Sequence, residues 1–347
     1  MGLDGSTPIL ARVNNVNKVM YLEDLYLTSR FPGVKVEVLS LDFKSLTLTF
    51  RGVKRVERVE ADTLVSIEFN GGSLVASRDQ GIYIIDSYGG LKVKAFSGLS
   101  GSEVLVSIVK SRFESVRDEF RYLSRGKAVR GRLLGSLCNS HELSDLSPSK
   151  LVVFSAMLRS FVESFVETGS QTRRIEGRRA TSCFKDHLRA YELSWSSRLQ
   201  GLPSVIVRDG SSLCVKVTHG GGRSRDMTEK LPLEPMLKLK RVLRKHMQSE
   251  AVRHILGHSK MKFVSKRVAA MAVMHLLCGG LPRGLEGLPG LVLRNMALLA
   301  FSDLVAVRLA EVKVFSGKRH VYVVEVEDGE AFFAGPIPIL LSAKGAS

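Results

Sequence analysis

Tryptophan occurs once in these 347 residues, and the four cysteines form no C-x-x-C pair. Cys138, Cys183, Cys214 and Cys278 lie far apart, whereas a structural zinc site draws its ligands from close clusters. The expectation is isolated, reduced thiols. No uninterrupted apolar run reaches the roughly 18 residues that suggest a membrane-spanning helix. The opening "MGLDGSTPIL" lacks the basic start and long apolar core of a signal peptide. The resulting expectation is an intracellular, cytoplasmic protein.

Negative charge is scarce in one segment only. Residues 170–300 carry 24 Lys+Arg against 9 Asp+Glu, an excess of +15. Residues 1–110, 111–169 and 301–347 carry +1, +2 and −1, so almost all of the net +17 lies in one internal stretch. A basic insert in a neutral chain points to a polyanionic partner. A thermophile's charged surface would mix both signs instead. The length suits two domains, and 44% hydrophobic with 24% charged residues is ordinary globular composition.

Both ends of the chain read as β-structure. From Lys35 onward come "KVEVLSLD", "LTLTF", "KRVERV", "TLVSIEF", "GSLVAS" and "GIYIID", divided by turn residues such as Asn70-Gly71-Gly72 and Gly89-Gly90. One short helix is expected near "YLEDLY". The C-terminal part gives "RLAEVKVF", "RHVYVVEVE", a turn at Asp328-Gly329, "AFFAG" and "IPILLS". The region between them reads as mostly helical. The simplest architecture is an all-β domain, residues 1–110 with 303–347, interrupted by a charged α+β insert, 111–302.

The blocks "GSTPILARVN…YLEDLY", "VEVLSLD", "VKRVERV", "GSLVASRDQGIYIID", "GGLKVKAFSGLSGSEVLV" and "HVYVVEVEDGEAFFAGPIPILLS" resemble, in order, the sequence blocks of inteins. The resemblance covers roughly residues 2–108 and 303–343. It implies a Hint fold, the compact β-domain that inteins build from both chain ends, and it implies self-splicing ancestry. Every splicing position departs from the family pattern. The nucleophile that opens splicing would fall on Gly2, or on Met1 if the frame slips by one, and neither side chain can attack a carbonyl. The family's Thr-x-x-His becomes Ser77 and Gln80, and a glutamine cannot shuttle a proton at neutral pH. The family's late Asp is Val323. The closing His-Asn falls on Ser342-Ala343. The implied frame is that of a splicing domain whose chemistry is gone.

Many inteins carry a LAGLIDADG homing endonuclease in this slot, and the insert resembles one. "RLLGSLCNSHE" is similar to a first motif helix, with Ser140 at the acid position. "MLRSFVESFVETGSQ" is similar to a second, with Thr168 there and Glu167 and Glu163 as the nearest carboxylates. Those two glutamates share a helix face at i, i+4, which suits a solvated or capping pair. Glu167 is alternatively a displaced ligand for Mg²⁺, the metal such nucleases use.

Beyond the second motif, "SQTRRIEGRRATSCF" reads as a strand pair and "KDHLRAYELSWSSRLQ" as a helix. A hairpin turning at Asp209-Gly210 comes next, then a helix in "PLEPMLKLKRVLRKHMQ". With the preceding motif helix this is αββαββα, the LAGLIDADG repeat, whose sheet forms a saddle that lies in the major groove. Arg173, Arg174, Arg178, Arg179, Arg208 and Lys216 fall on those strands or turns, and Arg223 and Arg225 on the basic loop "HGGGRSRD". All eight are candidate contacts to double-stranded DNA. That loop lacks the G-K-[ST] ending of a P-loop. About 28 residues separate Ser140 from Thr168, too few for a complete first repeat. One saddle half would need a homodimer to build a two-fold surface.

Residues 231–300 read as further helices, either a rearranged second half or an appended module. His254 and His258 stand at i, i+4 without the glutamate of H-E-x-x-H, and Trp195 reads as core. Four functions remain open: a DNA-binding protein descended from an intein-type homing endonuclease, an active Mg²⁺-dependent endonuclease, an atypical splicing element, and an inactive relic.

Overall fold

A computed structural model describes residues 1–43, 46–109, 172–176, 179–199, 201–218, 230–258, 260–278, 287–327 and 330–344. The first part of the chain supplies β1 (Leu3–Asp4), β2 (Pro8–Val13), β3 (Val16–Tyr21), α1 (Leu22–Ser29), β4 (Val36–Asp42) and β5 (Thr47–Phe69). It continues with β6 (Gly72–Ser77), β7 (Gly81–Ile85), β8 (Leu91–Ala95) and β9 (Val104–Ile108). The last part returns as β16 (Leu304–Val326), β17 (Ala331–Ala334) and β18 (Ile339–Ser342). All these strands join one twelve-stranded sheet, ordered β16-β1-β6-β5-β4-β2-β17-β18-β9-β7-β8, with β3 on β2. Every pairing in it is antiparallel, and it is built from both chain ends.

Several short runs of the sequence fuse into single strands. β5 and β16 are each 23 residues long and pair from Leu309↔Phe69 to Val326↔Val53. Gly317 and its neighbours, which separate two apolar runs, make a register shift between Ser316 and Arg319 rather than a turn. An extra residue on one strand is absorbed as a bulge while pairing continues on both sides. The Asp328-Gly329 turn lies outside the described residues.

Strand alternation feeds two cores. Adjacent Ile9 and Leu10 on β2, and Val38 and Leu39 on β4, join opposite clusters because successive side chains leave a strand on opposite faces. One cluster closes over Leu22 and Leu25 of α1. The other runs from Leu10, Leu39 and Ile108 into a helical layer made by the insert.

That layer comprises α3 (Glu234–Lys238), α4 (Lys240–Leu243), α5 (Glu250–Gly257), α6 (Lys266–Cys278) and α7 (Leu288–Phe301). A two-stranded ribbon, β14 (Lys230–Pro232) with β15 (Phe263–Ser265), lies beside them. The single helix expected over "PLEPMLKLKRVLRKHMQ" is instead α3, α4 and a 3-10 turn at Arg244–His246. Leu233, Met236 and Leu239 are all buried. Their spacing of three is closer to a 3-10 period than to 3.6, so the backbone breaks at Leu239 to keep all of them inside.

The remaining unit is a four-stranded antiparallel sheet ordered β10 (Thr172–Glu176), β11 (Arg179–Phe184), β13 (Ser212–Thr218), β12 (Ser204–Asp209). The helix α2 (His187–Leu199) lies between its two hairpins in sequence. Ala180, Phe184, Leu213, Val215 and Ile206 form a core with Ala190 and Leu193 of α2. Cys183 and Cys214 are register partners across β11 and β13 and form a disulfide. This corrects the expectation of isolated thiols, because pairing strands far apart in sequence brings their side chains directly opposite one another. No helix among the described residues is long and apolar enough to cross a membrane.

Candidate functional site at the joined chain ends

The short strand β1 lies between β6 and β16, with Leu3 in register with both Ala76 and Tyr322. Just before it, the Ser77 amide donates to the Gly2 carbonyl at 2.8 Å. Gly2 has φ of 149°, a region that side-chain-bearing residues rarely adopt. A Cβ placed there would meet Val321 Cγ2 at 2.7 Å. A side chain at Gly2 would therefore require Val321 to shift.

Between β6 and β7 the chain turns through Ser77-Arg78-Asp79-Gln80, with the Gln80 amide donating to the Ser77 carbonyl at 3.0 Å. Arg78 and Asp79 face solvent, while Gln80 is 3% exposed. Gln80 Nε2 donates to the carbonyls of Ser342, at 2.8 Å, and Gly81, at 3.1 Å. Burial without a partner would cost a carboxamide a few kcal/mol, and these two bonds offset that. Ser77 Oγ is buried and has no hydrogen-bond partner among the described residues.

The other chain end enters along β18. Ser342 and Ala343 are buried, and the Ala343 amide donates to the Glu330 carbonyl at 2.8 Å. The approach of β18 to β7 is close. A Cβ on Gly81 would stand 2.7 Å from Ser342 Cβ and 2.9 Å from Val93 Cγ1. Val323 lies half-buried on β16, in register with Glu57.

The structure thus gathers Gly2, Ser77, Gln80 and Ser342 around one turn, with Ala343 adjacent in the chain. The geometry can hold a carbonyl with a neutral amide donor. Gly2 carries no side chain that could act as a nucleophile, and the Gln80 carboxamide cannot shuttle a proton at neutral pH.

The candidate DNA contacts are distributed by strand register. Arg174, Thr181, Lys216 and Val205 form one row across the four-stranded sheet, and Lys216 is exposed. Arg173 stands in the next row, in register with Ser182, whose partners in turn, Val215 and Ile206, join the core with α2. Arg208 pairs with Leu213 and is exposed on that same side, near Tyr191 of α2, whose pKa burial and then Tyr21 raise and Arg208 partly lowers. Arg179 pairs with Glu176 and Thr218, two rows from Arg174's partner, Thr181. Lys216 and Arg208 therefore stand on opposite faces of the sheet. Glu163, Glu167, Arg178, Arg223 and Arg225 lie outside the described residues. Among the described residues no group of three or more His, Cys, Asp and Glu could hold a metal. His254 and His258 stack with ring centroids 4.2 Å apart.

Two residues of α2 join the insert to the β-domain. Trp195 is fully buried, as its sequence position suggests, and its Nε1 donates to the Gly335 carbonyl at 2.9 Å. Arg198 is also buried. Its Nη1 donates to the Ile108 carbonyl at 3.1 Å and its Nη2 to the Ser204 carbonyl at 2.6 Å. In a segment so rich in cations, nothing in the sequence sets Arg198 apart.

No protein-family model matches the chain. A replication factor C small subunit from Methanopyrus kandleri is 24% identical over 347 residues, covering 98% of this chain and 48% of that protein. The chain spans about half the length of the curated relative it matches. Among solved structures, a transcription factor IIB Mvu mini-intein aligns with a TM-score of 0.39 at 9% identity, over 98% of this chain and 99% of that one. An intein from a hyperthermophile aligns with a TM-score of 0.28 at 18% identity, over 31% and 71% of the respective chains.

Proposed function

We propose that this is an intein-derived protein whose Hint-like β-domain has lost splicing and whose LAGLIDADG-like insert binds double-stranded DNA. The observation that carries the first half is the turn at Gln80. It holds the two chain ends together, as a splicing domain must, yet Val321 fills the space a nucleophile at Gly2 would need. The ordered sequence blocks supply the family reading.

Support for the second half is the hairpin–helix–hairpin order of the four-stranded sheet, together with the +15 excess of residues 170–300. A β-sheet of that size can enter a major groove, and cations on its open rows would meet phosphates. The two-fold surface of a homodimer would pair two such sheets. Cleavage would require carboxylates to hold Mg²⁺, and Glu163 and Glu167 are the candidates.

The test is selection from a randomised duplex library by the whole protein at two salt concentrations, followed by incubation of the enriched duplex with Mg²⁺. The proposal expects enrichment that weakens steeply with salt, and intact DNA. Enriched and cut DNA would establish an active endonuclease. Absence of enrichment at either salt would remove the DNA reading.

A further inference from the structure

Where the four-stranded sheet meets the β-domain, a cleft of about 390 Å³ opens between the two. Its wall includes Arg198 of α2, Lys230 of β14, Lys262 just before β15, and Arg308 of β16. These cations come from four different places in the chain, and no Asp or Glu among the described residues lines the cleft. Lys230, Lys262 and Arg308 have no ion-pair partner among the described residues. Exposed cations commonly stand alone in solvent. These instead surround a concave space whose wall contains a buried guanidinium.

Arg198 supplies the sharper argument. Its bonds go to the carbonyls of Ile108 and Ser204 and the hydroxyl of Ser107, all neutral acceptors. Its Nε–H is buried and has no partner among the described residues. A charge taken fully out of water is normally matched by an opposite charge, because desolvation costs several kcal/mol per ion. No carboxylate contributes to the Arg198 environment among the described residues, and burial alone pulls its pKa down to about 10. It is still cationic at neutral pH. Among the described residues, what the surroundings lack is an anion.

We propose that this cleft is a phosphate-binding site, filled either by a free phosphate-bearing ligand or by a phosphodiester of a nucleic acid backbone. The volume falls in the range of small-ligand sites. Apolar wall residues such as Phe263 and Val307 lower the local dielectric and concentrate the field of the cations on the space between them. A tetrahedral oxyanion accepts several charge-assisted hydrogen bonds at once, which suits cations converging from different walls. Because the walls belong to both the β-domain and the insert, a bound phosphate would also tie the two together. The proposal goes beyond the DNA reading, since a free phosphate suffices to satisfy it.

The experiment is titration calorimetry of the whole protein with inorganic phosphate in a chloride buffer. One saturable site is expected. Lys262→Ala and Arg308→Ala, both in the wall and both exposed, should each weaken binding about tenfold or more. Lys262→Arg should largely restore it. Unchanged melting temperatures would show that both variants fold, and Lys240→Ala, outside the cleft, should leave binding intact. Absence of saturable binding, or binding unaffected by either wall variant, would overturn the proposal. A short duplex added in competition then identifies the source: displacement of phosphate points to a nucleic acid backbone, and independent binding to a free phosphate ligand. Loss of phosphate binding in the variants with salt-sensitive DNA binding retained would place the DNA contacts elsewhere.

Discussion

Gln80 and Ser342 stand 262 residues apart in sequence, and one hydrogen bond of 2.8 Å from the glutamine amide to the serine carbonyl joins them. The bond is buried, and it fastens the strand that ends the β-domain to the turn that touches its beginning. Replacing Gln80 with alanine leaves the Ser342 carbonyl without this donor. The expected cost is about 1–3 kcal/mol of global stability, read from urea unfolding. Gln80→His can keep a donor, so it should cost less and should still not restore ligation of flanking segments.

Gly2 gives the complementary test. Gly2→Ala places a Cβ against Val321 in a backbone conformation that favours glycine, so destabilisation of about 1–3 kcal/mol is expected. Val321→Ala in the same chain should recover part of that loss by removing the contacting methyls. A double-mutant cycle on thermal or denaturant unfolding measures the coupling. Additive effects would mean that backbone conformation, and not Val321, excludes a side chain there. For the same reason Gly2→Cys with Gln80→His should yield no spliced product by mass spectrometry.

The disulfide between Cys183 and Cys214 closes a loop with a sequence separation of 31. Loop-closure entropy assigns such a link about 3–4 kcal/mol. Under reductant, or with Cys183→Ser, the four-stranded sheet should unfold at a lower denaturant concentration while the large sheet keeps its own transition. Near-ultraviolet circular dichroism of the sole tryptophan, Trp195, at their junction would follow the first event.

Two groups give the stability a pH profile. Burial raises the Glu103 pKa, but the Lys94 ammonium and the Ser100 amide and hydroxyl overcome it and bring the group down to about 2. The stabilisation is therefore complete above the ordinary value of 4.5 and disappears as pH falls towards 2. Burial first, and His246 second, lower the His275 pKa from 6.5. Its neutral form is favoured in the folded state, so stability is lost as pH falls below 6.5. Glu103→Gln and His275→Phe should each flatten one of the two steps in a pH series of melting temperatures.

How much was legible in the sequence depends on the range of the interactions. The strand-forming runs, the turns at Asn70-Gly71-Gly72 and Gly89-Gly90, and the order strand–strand–helix–strand–strand are local patterns that the structure keeps, although "LTLTF", "KRVERV" and "TLVSIEF" run on as the single strand β5. The fusion of "RLAEVKVF" with "RHVYVVEVE" was not legible, because the partner strand decides whether Gly317 bends the chain or merely bulges it. The same holds for Cys183 and Cys214, which only the β11–β13 register brings face to face. At the candidate site, Gln80 and Gly2 could be named as departures from a splicing pattern. That Val321 stands where a Cβ on Gly2 would fall depends on packing across strands and has no signature in either segment. Arg198 differs from the other cations of its segment only in its surroundings, which no local pattern encodes.

Register also makes the DNA reading testable at single residues. Lys216 is exposed in the row of Arg174 and Thr181, on the sheet face away from α2, whereas Arg208 pairs with Leu213 on the side that α2 covers. If the open rows meet the duplex, Lys216→Ala removes one phosphate contact. The slope of log affinity against log salt should then fall by about 1, with a nearly uniform loss across sequences. Arg208→Ala should leave that slope unchanged. Fluorescence anisotropy over a salt series, on the duplex selected by the whole protein, separates the two. A reversed result, with Arg208 controlling the slope and Lys216 silent, would put the DNA against the α2 edge of the sheet and would discard the saddle geometry while keeping DNA as the partner.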